Sequence, residues 1–261
     1  MTKKTKIWLI IAASFVLVGC IIFTGVMSVL KWDFRKLSTV KYQTNLYEIT
    51  EVFEDISIKT DTADIVFAVS DDAKCKVECY EEEKAKHSVT VQENTLAINI
   101  VNQKSWHDYI GINIGTPKIM VYLPETEYSS VAITSSTGDI SLENLCAGSL
   151  DITVSTGDVD LKNIECNSVL SSGSTGDIHL KNVIAKEKFS IKRSTGDVKF
   201  NGCDAGEITI ETDTGDVTGL LLSEKVFITK TSTGKIDVPN TVTGGKCKIK
   251  TDTGDIKITL K

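Results

Sequence analysis

With 261 residues, 41% of them apolar, 25% charged and only 3 prolines, the chain is long enough for one or two compact domains and is neither disordered nor collagen-like. Its formal charge of -6 divides unevenly, because residues 1–36 hold six basic residues against one acidic, leaving 23 basic and 34 acidic beyond them. An acidic body disfavours nucleic acid as a partner, and three scattered histidines, His87, His107 and His179, disfavour a histidine-rich zinc site.

The first predicted element is Ile7 to Leu30, 24 residues without a charge, which as a helix reaches about 36 Å. Lys3, Lys4 and Lys6 precede it, and Trp8 and Trp32 stand near its ends. The positive-inside rule therefore predicts a cytoplasmic N-terminus over 1–6, one transmembrane helix over 7–30 and an extracellular C-terminal domain, a single-pass protein of the cell membrane. A cleaved signal peptide is the alternative, although the stretch is longer than the usual apolar core of such peptides and lacks a clear small-residue cleavage site. Leu17-Val18-Gly19-Cys20 has the form of a lipobox, but ten apolar or small residues follow where a lipoprotein carries a polar tether, so Cys20 reads as an ordinary residue of the apolar run. Residues 31–45 are the predicted membrane-proximal linker.

Residues 46–130 carry strand character with little regularity: EVFEDISIKT, ADIVFAV, KCKVECY, HSVTVQ, TLAINI and KIMVYLP alternate or nearly alternate. This is the predicted irregular N-terminal β region, which caps one end of the repeats that follow. Within it, Asn102 to Lys118 breaks the alternation and gathers Trp106, His107 and Tyr109 among polar residues. A loop of this kind on a rigid body is a candidate partner-binding segment, and a lid over the end of the stack is the alternative reading.

From residue 131 to residue 261 the chain repeats itself. Thr-Gly-Asp recurs at Thr137, Thr156, Thr175, Thr195, Thr214 and Thr253, and Thr-Gly-Lys at Thr233. The glycines, Gly138, Gly157, Gly176, Gly196, Gly215, Gly234 and Gly254, are 19 or 20 residues apart, a period narrow enough to require that each unit stack on another. Branched apolar residues occupy the position two after each glycine, from Ile140 to Ile256, and apolar columns stand five and seven before it, as strands with one buried face require. Two short strands and two turns per unit predict an all-β, right-handed β-solenoid of about 19–20 residues per coil, preceded by the helix; the hand follows from the general preference of parallel crossovers. The glycines serve the sharp turns, and the aspartate after each is placed to cap a backbone N–H. A calcium-binding aspartate column is the rival reading. It lacks the nonapeptide period of calcium-binding repeats and is interrupted by Lys235, so no metal or cofactor is expected.

Nothing in the chain matches a nucleophile elbow, a phosphate loop, a zinc-protease helix motif or a dinucleotide fingerprint, and aromatic residues are sparse at 7%, so no enzyme is expected. A polysaccharide-active β-helix enzyme remains the alternative of that class. Among the cysteines, Cys75 and Cys79 are too far apart on one strand to pair, Cys146 and Cys166 stand near equivalent turns where a bridge is feasible, and Cys203 and Cys247 fall in core columns. The chain stops at IKITLK with no cap, which predicts an open edge and self-association through the C-terminal coil.

The recurring Ser-Thr-Gly-Asp and Asp-Thr-Gly-Asp units, each followed by Ile or Val, and the strand Lys118-Ile119-Met120-Val121-Tyr122-Leu123-Pro124 resemble the bacterial candidate-adhesin family, domain of unknown function 4097, from about Ile49 to Lys261. The resemblance implies a β-solenoid body on a membrane-anchored surface protein, in some members encoded beside envelope-stress systems, and carries over no catalytic residues. Lys235 in place of aspartate and Pro239 in the sixth outgoing strand depart from the pattern and weaken edge pairing there. The function expected is that of a non-enzymatic cell-surface protein, an adhesin or an envelope-associated binding or structural protein, with an envelope-stress sensing accessory as the alternative. The partner is an unidentified envelope protein or glycan.

Overall fold

The computed structural model describes residues 2–261, which form two compact units. The first comprises the chain up to Lys41 together with Lys104–Gly115; the second comprises Tyr42–Gln103 and Thr116–Lys261.

In the first unit, helix α1 spans Lys3–Val29, and the Thr2 hydroxyl accepts the N–H of Thr5 at 3.3 Å to cap its start. The helix ends where Lys31 and Trp32 turn to positive φ (55° and 59°), and the Trp32 N–H closes on the Met27 carbonyl at 2.8 Å. Its apolar side chains are exposed almost all round, so it is not a core helix of this protein. Length and composition suit a membrane crossing, but a helix this near the N-terminus suits a signal sequence equally. The transmembrane assignment of 7–30 is accordingly corrected to an apolar N-terminal helix, Lys3–Val29.

The second unit is all strand. Its first part holds β1 (Tyr42–Ile49), β2 (Asp55–Thr60), β3 (Asp64–Val69), β4 (Cys75–Glu82), β5 (Ala85–Gln92), β6 (Thr95–Asn102) and β7 (Lys118–Leu123). Long strands follow: β8 (Glu127–Thr137), β9 (Ile140–Thr156), β10 (Val159–Thr175), β11 (Ile178–Thr195) and β12 (Val198–Thr214). The chain finishes with β13 (Val217–Leu221), β14 (Lys225–Thr233), β15 (Ile236–Asp237), β16 (Gly245–Thr253) and β17 (Ile256–Leu260).

All seventeen join in one sheet, and this corrects the predicted right-handed β-solenoid. Strand pairing closes on itself: β2 pairs with β6, β6 with β5, β5 with β4, β4 with β7, β7 with β3, β3 with β9, β9 with β8 and β8 again with β2. This closed eight-strand barrel core, antiparallel at β4–β5, β5–β6 and β4–β7, leaves the remaining strands outside it. Closure runs through β9, whose first residues pair with β3 and whose later residues pair with β8. A 19-residue repeat specifies which residues sit side by side but not whether the sheet they build is open or closed.

Between corners the repeats are also not pairs of short strands. Each of β9 to β12 runs 17 or 18 residues, with a bend in β9, β10 and β11 where Asn144, Asn163 and Asn182 adopt positive φ near 55°, and in β12 where Gly202 has φ 70°. The amides of these residues form a ladder: Asn163 Nδ2 donates to Asn144 Oδ1 at 2.8 Å, and Asn182 Nδ2 to Asn163 Oδ1 at 3.0 Å. Asparagine tolerates left-handed backbone, so from β9 to β11 the bend skips one pair of the ladder and the same register resumes at the next residue. Inward-facing columns such as Ile133, Ile152, Ser171, Ile191, Ile210 and Ile249 form the core, each apolar member contributing about 1.5–3 kcal/mol by burial.

The chain end departs from the sequential order of stacking. Strand β16 lies between β12 and β14, and β17 between β13 and β15, so the seventh repeat is inserted between the fifth and the sixth. The incoming strand of the C-terminal coil is therefore paired on both sides, β15 covers only Ile256 and Lys257 of its outgoing strand, and the outermost repeat is the sixth. Pro239 stops its outgoing strand after Asp237, and Gly244-Gly245 then threads the chain back. A Cβ at Gly244 would lie 1.8 Å from the Glu224 carbonyl oxygen, and one at Gly245 1.9 Å from that of Gly206, so no larger residue fits between the two repeats.

The cysteines are free thiols, Cys146 exposed and Cys166 buried, and the feasible bridge between them is not formed. A further core feature is Arg193, 2% exposed, in the space left by Gly173, where a Cβ would meet its Nη1 at 1.7 Å. Nη1 donates to the Val154 carbonyl at 3.2 Å and Nη2 to Ser171 Oγ at 3.4 Å, while Nε has no partner among the described residues. Burial pushes the guanidinium pKa down, and the nearby Asp158 charge only partly opposes this. Arg193→Met is expected to raise stability by about 1 kcal/mol, because it removes a buried cation with no paired anion. Urea unfolding of the two proteins measures the difference, and a net loss would assign the guanidinium a stabilising role.

Candidate functional site

The segment Lys104–Gly115 places Trp106, His107 and Tyr109 on one short 3₁₀ turn, Trp106–Tyr109. Asp108 Oδ2 accepts both the Ser105 N–H and its hydroxyl, each at 2.9 Å, and so fixes the start of the turn. The Trp106 and His107 rings lie 3.5 Å apart between centroids, and Lys104 Nζ stands 5.4 Å from the centre of the Tyr109 ring. The far side of the loop is clamped to Thr39, whose N–H donates to the Ile112 carbonyl at 2.9 Å and whose hydroxyl accepts the Ile112 N–H at 3.2 Å. Gly111 permits this approach, since a Cβ there would lie 2.2 Å from Thr39 Oγ1. Trp106 is 69% exposed and Ile110 70%, with Tyr109, Ile112 and Ile114 also exposed. The sequence reading singled out the aromatic residues and missed the three isoleucines, although their alternation, Ile-Gly-Ile-Asn-Ile, is visible in the chain.

The seven corner glycines all have positive φ, from 130° to 156°, and they stack directly. The Cβ of a residue in place of Gly157, Gly176, Gly196 or Gly215 would fall within 2.0–2.1 Å of the carbonyl oxygen of the preceding corner glycine. A Cβ at Gly138 would approach Ala63 instead, and one at Gly254 or Gly234 would approach Gly215 or Gly254. Beside them runs an aspartate ladder in which one side chain accepts the N–H of the next repeat: Asp64 to Asp139, then Asp158, Asp177, Asp197, Asp216, Asp255 and finally Lys235, at 2.7–3.0 Å. The N–H of Asp216 is the main reason the Asp197 carboxyl is held below the ordinary carboxylate range. One oxygen of each of these carboxylates is thus committed to the backbone of its neighbour.

A cluster absent from the sequence reading lies under the β4–β5 turn, where Cys79, Glu81 and His87 bring one ligand atom each within 4.8 Å of one another. All three are buried. Glu81 Oε1 accepts from Asn45 Nδ2 at 2.6 Å, and Oε2 accepts from the His87 backbone N–H at 2.6 Å and bonds His87 Nδ1 at 2.8 Å. Thr60 Oγ1 bonds His87 Nε2 at 2.9 Å. Both carboxylate oxygens and both ring nitrogens are engaged, and burial pushes the Cys79 thiol up to about 12, away from the thiolate a metal prefers. The arrangement is that of a satisfied polar network. On β9 to β12, Asp160, His179, Lys181, Lys199 and Asn201, with Leu161, Leu180 and Phe200, line an open groove of about 430 Å³, with His179 Nδ1 3.2 Å from Asp160 Oδ1.

Comparison with known proteins assigns this architecture. The family described as Toastrack DUF4097 matches residues 53–261. The chain belongs to that family. Among solved structures, a candidate adhesin from Bacteroides fragilis NCTC 9343 is similar to this Toastrack protein at 20% identity and a TM-score of 0.55, over 84% of this chain and 97% of its own. A candidate lipid-binding protein from Parabacteroides distasonis ATCC 8503 has 15% identity and a TM-score of 0.46, over 85% of this chain and 98% of its own. A candidate cell adhesion protein from Clostridium sporogenes ATCC 15579 has 14% identity and a TM-score of 0.42, over 85% and 100%. The first of these supports a shared fold. No protein of curated function matches the chain.

Proposed function

We propose that this Toastrack protein is a non-enzymatic, surface-exposed and membrane-associated protein whose β unit is a rigid framework for binding, adhesion or envelope structure. The observation that carries this reading is the use of the repeat triplet on its own backbone. Its glycines make room for the next repeat, and its aspartates cap that repeat's N–H groups. Side chains so employed serve the stacking of the repeats, the task of a framework. The membership in a candidate-adhesin family and the apolar N-terminal helix support the location. Trp106, His107 and Tyr109 form the contact element proposed for a partner, displayed on a loop with fixed ends.

Display is tested with a C-terminal tag. Protease added to intact spheroplasts is expected to remove the tag, and mass measurement of the mature chain establishes whether α1 is retained. Full protection of the tag would overturn the surface assignment.

A further inference from the structure

We propose that the Lys104–Gly115 loop, together with Trp32 and Phe34, is a lipid-contacting surface that seats in the headgroup layer of an anionic bilayer. The proposal rests on the surface reading above and names the partner of the Trp106 loop.

Composition supplies the first argument. Seven large apolar side chains of the first unit, Trp32, Phe34, Trp106, Tyr109, Ile110, Ile112 and Ile114, are exposed outside the helix. Trp and Tyr carry an apolar ring with a polar edge and favour the boundary between hydrocarbon and water. Isoleucines alternating along an extended segment add shallow apolar area without the length needed to span.

Continuity supplies the second. The loop is bonded to Thr39, only ten residues after the last residue of α1, and α1 itself requires apolar surroundings because its side chains are exposed. Any membrane that takes up the helix is therefore within reach of Trp32, Phe34 and the clamped loop.

Charge decides between an anionic surface and an indifferent one. Beyond α1 the first unit carries five basic and two acidic residues, a formal +3, whereas the second unit carries 21 basic and 33 acidic, a formal -12. Beyond the helix, Lys31, Lys36, Lys41 and Lys104 accompany the apolar residues. Basic residues beside a shallow apolar insertion attract anionic headgroups, while the acidic unit is repelled by them, so lipid contact falls to the first unit.

The experiment uses the full chain with Trp8→Phe and Trp32→Phe, which leaves Trp106 as the sole tryptophan, reconstituted into phosphatidylglycerol vesicles with or without acyl chains brominated near the headgroup. Trp106 emission is expected to fall about twofold on brominated lipid and to be shielded from acrylamide, as a residue at the acyl boundary would be. Ile110→Ser with Ile112→Ser is expected to weaken the bromine quenching while leaving the circular dichroism of the strands unchanged. Should that variant misfold, the result for the single-tryptophan parent still decides. Trp106 open to acrylamide and unaffected by bromine would overturn the proposal. Protection that develops only on adding an envelope protein extract would also overturn it and assign the loop to a protein partner. Vesicles report lipid contact independently of where cells display the protein, so failure here is distinct from failure of the protease test.

Discussion

Gly176→Val is expected to lower stability by about 4 kcal/mol or more, and Asp177→Asn by less than about 1 kcal/mol. Gly176 has φ 133°, and a Cβ there would lie 2.1 Å from the Gly157 carbonyl oxygen and 2.5 Å from its carbon. Both atoms are backbone of the neighbouring repeat, so relief requires parting two paired strands rather than turning a side chain. Strain at this φ adds to the overlap. Asparagine at 177, in contrast, retains the Oδ1 acceptor that now takes the Asp197 N–H at 2.8 Å. Urea unfolding of the full chain in detergent measures both, and equal destabilisation would refute the distinct roles assigned to the two residues.

The second large effect is expected at Glu81. Glu81→Ala removes the acceptor shared by Asn45 Nδ2, the His87 N–H and His87 Nδ1, all in buried or part-buried positions. Unsatisfied buried donors and the loss of a buried ionisable partner are expected to cost about 3–5 kcal/mol. A second readout is local. Burial holds the Cys79 thiol near a pKa of about 12, so it should resist alkylation in the native protein and become labelled in the variant. Unchanged stability together with a protected Cys79 would mean that the network is not what holds β4 against β5.

Most of the pairing in the repeats could be read from the chain. A Thr-Gly-Asp triplet every 19 or 20 residues, with Ile140, Val159, Ile178 and Val198 each two places on, specifies parallel register because identical positions of stacked units must meet. The aromatic turn at Trp106–Tyr109 was legible for the opposite reason, as a break in alternation. The thiols of Cys203 and Cys247 were legible as members of buried columns. Asn144, Asn163 and Asn182 were in plain view as well, but a turn and a bend within one strand place the same residue at positive φ, and sequence does not separate them.

Other features depend on contacts between residues far apart in the chain. The meeting of Glu81, His87, Asn45 and Thr60 requires β1, β2, β4 and β5 to converge, and no spacing in the sequence records it. The clamp of Ile112 on Thr39 joins residues 73 positions apart. The insertion of β16 between β12 and β14 follows from Pro239 ending one strand and Gly244-Gly245 fitting where a side chain would overlap backbone, while the repeat pattern itself is indifferent to the order of stacking. Local periodicity thus determined the parallel register, the buried faces and the glycine corners. Whether the sheet closed, which repeat lay outermost and which polar groups met inside were decided by tertiary structure, because each depends on steric and hydrogen-bonding fit between segments whose separation along the chain carries no periodic signal.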